Sequence, residues 1–430
     1  MTRPPVPLSA AVAGSALLLA GCVTSPDLDG DPGHLVAAES PRAPVAAGAA
    51  ESAAASVRAL GTDLYAILGR DDGNVVFSPY SAAVALAMSR AGAVGQTASE
   101  MDQVLHAGPG ALDPGFNALD QALAERPGEF QLPGADTPVE LVLTMANQLW
   151  GQEGSRFHDH FLTNLAGNYG TGVRVVDFVD ASEDARSSIN HWVSDQTRER
   201  IPELIPAGVL NELTRLVLTN AIYLKAPWHA PFRPAATAAG TFTRLDGSTV
   251  QAQMMRLSER LGYTAGDGFA AVDLPYAGRQ LSMLVIVPDV GAFSGFETGL
   301  DADRLQAIVN GLASTQVNLG FPRFEFRTQA ALAGALRELG MPTAFTDAAD
   351  FSAMGPDGDD WVIQDVLHEA FISVDEEGTE AAAATAVVMG VTSAPLEPVV
   401  LNVDRPFLFV IRDVPTGAIL FMGRVVDPTV

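Results

Sequence analysis

An α+β fold in one large domain is what the sequence predicts, and three observations lead to this prediction. Apolar residues recur at helical spacing from Val57 to Leu68, which predicts an amphipathic helix. The run QLSMLVIV at residues 280–287 is typical of a buried strand. No break in composition divides residues 52–430. One domain is therefore the simpler interpretation, although single cores usually stop growing near roughly 250–300 residues.

Capping residues predict where later elements begin and end. Asp301 is expected to begin a helix that has Leu305 on its inner face. Thr328 is expected to cap another helix, which would end at Gly340. Two strand-like runs joined by a Pro-Thr-Gly turn close the chain.

The N-terminus predicts export and lipid anchoring. Residues 1–21 have a basic start at Arg3 and an apolar stretch that is too short to span a membrane. The sequence Leu-Ala-Gly-Cys at residues 19–22 resembles the bacterial lipobox, in which the cysteine receives a diacylglyceryl group. We expect a lipoprotein signal peptide over 1–21, lipidation of Cys22, and anchoring on the periplasmic or cell-surface face of the envelope. The alternative is an ordinary secretory signal with an incidental cysteine. Residues 22–51, rich in Ala and Pro, are expected to be a tether.

Charge and cysteine content exclude several classes of function. The net charge of -26 and the pI of about 4.4 argue against nucleic-acid binding and against surface binding to anionic lipid. Cys22 is the only cysteine, so an internal disulfide and a multi-thiolate zinc site are excluded.

Catalytic motifs are missing from the sequence. It contains no G-x-S-x-G elbow, no H-E-x-x-H pair and no P-loop. The nearest metal-like cluster, His158-Asp159-His160, is better interpreted as a solvated helix start. We therefore expect neither an enzyme nor a protein with a metal or cofactor. An exported hydrolase with an unrecognised site is the alternative.

One segment, residues 376–395 with the sequence EEGTEAAAATAVVMGVTSAP, has an unusual pattern. A connection of about 20 residues between strand-like runs inside a compact domain is uncommon and usually functional. If this segment became a strand from Thr379, one of its faces would be uncharged and graded from small to large side chains. The members of that face are Thr379, Ala381, Ala383, Thr385, Val387 and Met389. An Ala-rich linker or a short exposed helix is the simpler alternative.

Several motifs, found in order along residues 52–430, resemble those of the serpin family. The start of the unusual segment, EEGTEAAAAT, resembles the hinge of inhibitory serpins, and residues 219–228 (TNAIYLKAPW) are similar to the family's central strand. Further matches are residues 77–81 (FSPYS), 339–341 (LGM), 350–352 (DFS), 405–409 (RPFLF) and 421–428 (FMGRVVDP).

The resemblance implies a serpin fold with three β-sheets, about nine helices and an exposed reactive-centre loop, over residues 52–430. It also assigns roles to residues of this chain. The shutter beneath the central sheet would consist of Ser78, Asn220 and His368. The breach, where the loop first enters, would consist of Trp228, Arg323 and Glu376. Arg323 stands where many serpins have lysine, so we expect its ion pair with Glu376 to be bidentate.

The resemblance further implies a suicide mechanism. A protease would attack the reactive bond between Thr392 and Ser393, and the cleaved loop would enter the central sheet while the acyl-enzyme still exists. The hinge would consist of Glu376, Gly378, Thr379, Glu380, Ala381, Ala382, Ala383, Ala384 and Thr385. The expected partner is the target protease, bound covalently to a monomeric inhibitor. The neighbouring bonds Val391–Thr392 and Met389–Gly390 are alternative positions for the reactive bond.

The residues near that bond indicate the class of target. No Arg or Lys lies between Gly378 and Val403, so a trypsin-like pocket with a buried carboxylate has nothing to pair with. Elastase-like or subtilisin-like serine proteases are the expected targets. The alternatives are papain-like cysteine proteases and a non-inhibitory binding module with the same fold.

Overall fold

Two hydrogen-bonded sheets organise the fold in a computed structural model that describes residues 33–108, 110–356, 358–380 and 397–430. The described residues form nine α-helices: α1 (Ala49–Leu68), α2 (Pro79–Arg90), α3 (Gly95–Val104), α4 (Leu112–Leu123), α5 (Asp159–Tyr169), α6 (Ser182–Gln196), α7 (Phe293–Thr298), α8 (Ala302–Asn310) and α9 (Ala333–Glu338). They also form seventeen strands: β1 (His34–Val36), β2 (Val75–Phe77), β3 (Gly128–Phe130), β4 (Val139–Gln152), β5 (Val173–Val176), β6 (Leu216–Pro227), β7 (Ala238–Thr243), β8 (Thr249–Gly266), β9 (Phe269–Pro275), β10 (Leu281–Pro288), β11 (Ala313–Pro322), β12 (Phe324–Ala331), β13 (Val366–Val374), β14 (Gly378–Thr379), β15 (Val399–Asn402), β16 (Phe407–Asp413) and β17 (Ile419–Val425).

The strand order separates a first sheet, which holds the functional site, from a second network. The first sheet runs β1-β5-β4-β6-β14-β13-β12, with β3 beside β4. The second runs β15-β11-β8-β9-β10-β16-β17-β2, with β7 beside β8. Three sheets were expected, and two of them are joined here. The 18-residue strand β8 pairs with β7 and β11 and then continues into its pairing with β9. One long strand therefore joins two sheets into a single network.

The core lies where the second network meets the helices. Strands β10, β16 and β17 are buried along their whole length. Helices α1 and α2 contact β17, and β2 contacts strands β12 and β13 of the first sheet. Burial on both faces explains why these strands are mainly apolar in sequence.

The capping predictions had different outcomes. Helix α8 begins after Asp301, whose side chain accepts a hydrogen bond of 2.7 Å from the backbone N–H of Arg304. The prediction for Thr328 was wrong, because this residue lies within β12 and pairs with Ala370 of β13. Its hydroxyl accepts a hydrogen bond of 3.0 Å from the N–H of Val76. The β12–β13 ladder satisfies the local backbone, so α9 begins only at Ala333.

The segment before α1 corrects the predicted tether boundary. Strand β1 pairs antiparallel with β5 and covers the edge of the first sheet. The approach is so close that a Cβ on Gly172 would lie 2.2 Å from the carbonyl oxygen of Val36. Residues 33–51 thus contribute to the folded unit, although their composition had predicted a tether.

Arg42 fixes the same segment to two helices. Its guanidinium donates to Asp120 Oδ2 at 2.7 Å, to Asn117 Oδ1 at 3.1 and 3.2 Å, and to the carbonyl oxygen of Asn168 at 3.2 Å. Asn117 also donates to the carbonyl oxygen of Ala43 at 2.9 Å. These charge-assisted contacts to α4 and to the end of α5 hold the N-terminal segment against the fold.

The predicted signal peptide and Cys22 lie outside the described residues. Among the residues that the structure does describe, no helix is both long and apolar enough to cross a membrane.

Candidate functional site

The candidate site is the space between β6 and β13, which we call the lane. The two strands pair directly only over four residues each, 218–221 with 366–369, in parallel register. At the opposite end the two-residue strand β14 lies between them and pairs antiparallel with both. Between these two regions, residues 222–225 and 370–373 face each other without a described strand to join them. We call this gap the slot.

Strand β14 shows how a chain enters the slot. A Cβ on Gly378 would lie 2.3 Å from the carbonyl oxygen of Ala226, so a larger residue could not follow the same path. The next residue, Thr379, is 3% exposed, and its hydroxyl lies 2.6 Å from the hydroxyl of Tyr276. The side chain of Thr379 therefore points into the core.

The predicted breach residues lie at the end of the slot where β14 enters, which we call its mouth. Arg323 forms an ion pair with Oε2 of Glu376, while the hydroxyl of Thr237 donates to Oε1. The backbone N–H of Phe232 also donates to the carbonyl oxygen of Glu376 at 2.8 Å. Burial alone would raise the pKa of Glu376, but the hydrogen bonds from Arg323 and Thr237 hold it below its usual value. The two carboxylate oxygens thus have different partners, in place of the bidentate pair that we expected.

Trp228 positions the turn that leads into β14. Its ring stacks on Tyr276, with centroids 4.6 Å apart and planes 6° apart. The indole N–H donates to the carbonyl oxygen of Asp375 at 2.9 Å, and the backbone N–H of Trp228 donates to the carbonyl oxygen of Glu377 at 2.8 Å. The Asp375 carboxylate in turn accepts from the N–H groups of Glu377 and Gly378. The turn from β13 to β14 is therefore held from both sides.

The predicted shutter residues lie together under the paired end of the lane. The backbone N–H of Ser78 donates to Nε2 of His368 at 3.0 Å, and Nδ1 of His368 bonds to Oδ1 of Asn220. Because Nε2 accepts a hydrogen bond, the neutral ring carries its proton on Nδ1. Burial lowers the pKa of His368 to about 4, so the ring is neutral at pH 7. This side-chain bond joins β6 to β13 across the line along which a new strand would part them.

Some predicted site residues lie outside the described residues. These are the hinge residues Ala381, Ala382, Ala383, Ala384 and Thr385 and the reactive-bond residues Thr392 and Ser393. The hinge residues Glu376, Gly378, Thr379 and Glu380 are described and lie at the mouth of the slot.

Sequence reasoning missed four residues whose side chains bond to the side chains of hinge residues. They are Thr237 on Glu376, Tyr276 on Thr379, and Arg200 and Tyr223 on Glu380. Thr237, Tyr276 and Arg200 belong to no motif singled out in the sequence, and Tyr223 lies within the TNAIYLKAPW run but had no role assigned to it. Each meets the hinge only through a contact with a residue more than a hundred positions away in the chain.

The histidine pair lies away from this site. Helix α5 begins at Asp159, with the rings of His158 and His160 stacked 5.2 Å apart. Within the described ranges, no group of three or more His, Cys, Asp or Glu residues is placed to hold a metal ion.

Comparisons with known proteins agree with this architecture. The family profile described as serpin (serine protease inhibitor) matches residues 55–428. A serpin-like protein of Thermococcus kodakarensis is 38% identical over 85% of this chain and 83% of its own length. The human leukocyte elastase inhibitor is 34% identical over 85% of this chain and 97% of its own length.

Solved structures share the fold. The native-state crystal structure of tengpin, a thermophilic serpin, superposes with a TM-score of 0.76 at 26% identity, covering 91% of this chain and 97% of that chain. Serpin48 of the insect Tenebrio molitor has a TM-score of 0.73 at 29% identity, covering 86% and 97%. With the family profile spanning nearly all of the described residues, the chain belongs to the serpin family of protease inhibitors.

Proposed function

We propose that this protein is an irreversible suicide inhibitor of elastase-like or subtilisin-like serine endopeptidases. The observation that carries the proposal is β14, where two hinge residues already lie between β6 and β13, two strands that pair directly over only four residues each. In the proposed reaction the protease hydroxyl forms an ester with the carbonyl carbon of Thr392. The peptide bond to Ser393 breaks, and the Ser393 nitrogen takes up a proton and leaves as a free amine.

The register of β14 defines where the cleaved loop would go. Thr379 pairs with Ala226 on one side and with Val374 on the other. Continuing both ladders antiparallel would place Ala381 between Leu224 and Ile372. The first half of insertion would therefore fill the slot and satisfy the backbone groups that line it.

The second half of insertion requires the shutter to open. The same register would place Thr385 between Asn220 and His368, and residues 384–387 opposite the four directly paired residues of each strand. Those parallel pairs, and the bond between His368 and Asn220, would have to separate. New antiparallel ladders on both sides would replace them, which gives insertion a favourable direction.

Insertion along this lane would move the acylated residue far from the mouth of the slot. A strand from Thr379 to Thr392 would span about 45 Å at roughly 3.3 Å per residue. The attached protease would be carried with it, and deformation of its catalytic groups would prevent deacylation. The inhibitor would be consumed once.

Chemistry near the reactive bond supports the class of target. The absence of Arg and Lys between Gly378 and Val403 disfavours trypsin-like enzymes. The relatives from human and pig are named leukocyte elastase inhibitors, which favours an elastase-like target for this chain.

The test is incubation of residues 23–430 with an elastase, a subtilisin, trypsin and papain, followed by denaturing gels and intact mass. We expect a covalent adduct with the elastase or the subtilisin and release of a peptide that begins at Ser393. An adduct with papain alone would change the proposed class to cysteine proteases. Loop cleavage without any adduct would contradict inhibition and favour a binding module.

We further propose that the protein is exported and anchored through a diacylglyceryl group on Cys22. The lipobox-like sequence at residues 19–22 supports this, together with the position of the only cysteine. Intact mass of the N-terminal peptide from the mature protein tests it, since a free Cys22 thiol would contradict anchoring.

A further inference from the structure

Three residues in left-handed backbone conformation cluster at the mouth of the slot. Glu380 directly follows β14 and has φ of 50°, while Arg198 and Glu199, between α6 and β6, have φ of 50° and 63°. This conformation is unfavourable for residues other than glycine, so each position needs contacts that hold it. Glu380 matters most, because a strand cannot continue through a residue in this conformation.

The contacts of Glu380 come from both sides of the hinge. Nε of Arg200 donates to its carboxylate, and the hydroxyl of Tyr223 on β6 forms a second hydrogen bond with it. The backbone N–H of Glu380 donates to the carbonyl oxygen of Ser373 on β13 at 2.9 Å. The carboxylate side chain is only 13% exposed. Glu380 is thus tied to β6, to β13 and to the segment that precedes β6.

Arg200 reaches across the slot. Its guanidinium carbon lies 5.6 Å from the ring centroid of Phe371, which belongs to β13, while the same guanidinium holds Glu380. Continuing the β14 register would place Ala382 between Tyr223 and Phe371. Arg200 therefore lies over the next outward-facing position that an entering strand would occupy.

From this geometry we infer that Arg200 is a positioning residue for loop insertion, and that its contact with Glu380 is a latch that stops the strand at Thr379. The inference rests on the proposed inhibitory mechanism. Insertion beyond Thr379 requires Glu380 to become extended and Arg200 to leave the slot mouth. The latch keeps the uncleaved hinge in place, and its release limits the rate at which the strand extends.

Arg327 provides a matched control within the same surface. Its guanidinium carbon lies 5.7 Å from the same Phe371 ring, and it pairs with Glu369 at 3.4 Å. Arg327 belongs to β12, on the same side of the slot as Phe371, so its contacts with Phe371 and Glu369 do not cross the slot. Replacing it removes an equivalent positive charge and ring contact while leaving the latch intact.

The experiment measures slot opening without a protease. The full-length protein and the variants Glu380→Gln, Arg200→Gln, Arg200→Lys and Arg327→Gln are incubated with a synthetic peptide of the sequence TEAAAATAVVM, which is residues 379–389. The rate of peptide annealing is followed by native gel mobility, and adduct yield with elastase is measured in parallel. We expect Glu380→Gln and Arg200→Gln to anneal the peptide about tenfold faster than the wild type, because each loses a charge-assisted contact. Arg200→Lys should restore part of the slow rate, and Arg327→Gln should behave as the wild type.

The outcomes separate the latch from the proposed function. Equal annealing rates in all five proteins, with normal adduct in the wild type, would overturn the latch alone. Equal acceleration in Arg200→Gln and Arg327→Gln would also overturn it, because a general loss of charge over Phe371 would then explain the effect. Failure of every protein to take up peptide or form adduct would overturn the proposed function and the latch together.

Discussion

Thr379→Arg is expected to turn this protein from an inhibitor of its target protease into a substrate. Thr379 is 3% exposed and its hydroxyl lies 2.6 Å from that of Tyr276, so the entry point has no space for a guanidinium. Burying an unpaired charge there would cost several kcal/mol, and the hinge would stay outside the sheet. The protease would still cleave the reactive bond and would then deacylate, because insertion could not overtake hydrolysis.

The measurement for this variant is the ratio of covalent adduct to cleaved chain after reaction with elastase. We expect nearly all of Thr379→Arg to appear as cleaved chain, at an unchanged rate of cleavage. Thr379→Ser keeps the hydroxyl and serves as the control, with an adduct yield close to that of the wild type. A normal adduct yield in Thr379→Arg would contradict entry of this side chain into the sheet.

The second large effect is a loss of stability on acidification, caused by His368. Burial lowers the pKa of His368 from 6.5 to about 4 in the folded protein. The fold therefore favours the neutral ring. Above pH 6.5 the neutral ring makes its full contribution to the free energy of unfolding. It declines as the pH falls from 6.5 towards 4, because the unfolded chain binds the proton first. The full difference corresponds to about 3 kcal/mol of unfolding free energy.

Urea unfolding at several pH values between 7.5 and 5 measures this contribution. The wild type should lose stability faster than His368→Gln, which has no group that titrates at this position. Burial raises the pKa values of Glu369 and Glu380, so these two groups act in the opposite direction, but both remain in the variant and cancel in the comparison. Parallel pH profiles for the two proteins would contradict the prediction.

The sequence could predict which hinge residues share a face of the inserted strand. Alternation assigned Thr379 and Glu380 to opposite faces, and the structure places Thr379 on Tyr276 and Glu380 on Arg200. The family resemblance assigned Gly378 to the hinge, and the structure shows that a small residue is needed there, because the close approach to Ala226 leaves no room for a Cβ. These features depend on local periodicity and on side-chain size, which a single sequence contains.

Contacts between distant segments could not be predicted from the sequence. The pairing of β1 with β5 needs only three residues and no apolar period, so composition alone assigned them to a tether. Arg200 has no distinguishing neighbours, and its role depends on Glu380, which lies 180 residues later. Likewise, Thr328 is a good N-cap by type, but pairing with β13 determines its conformation. In each case a partner supplied by the fold outweighs the local preference.

The most direct test of the account is the melting temperature of the protein before and after cleavage in the reactive loop. A protease that cuts between Ala386 and Ser393 without being trapped supplies the cleaved form, with both fragments confirmed by mass. Insertion of the loop as a new strand between β6 and β13 predicts a large rise in melting temperature on cleavage. An unchanged or lower melting temperature would contradict insertion, and with it the proposed mechanism of inhibition.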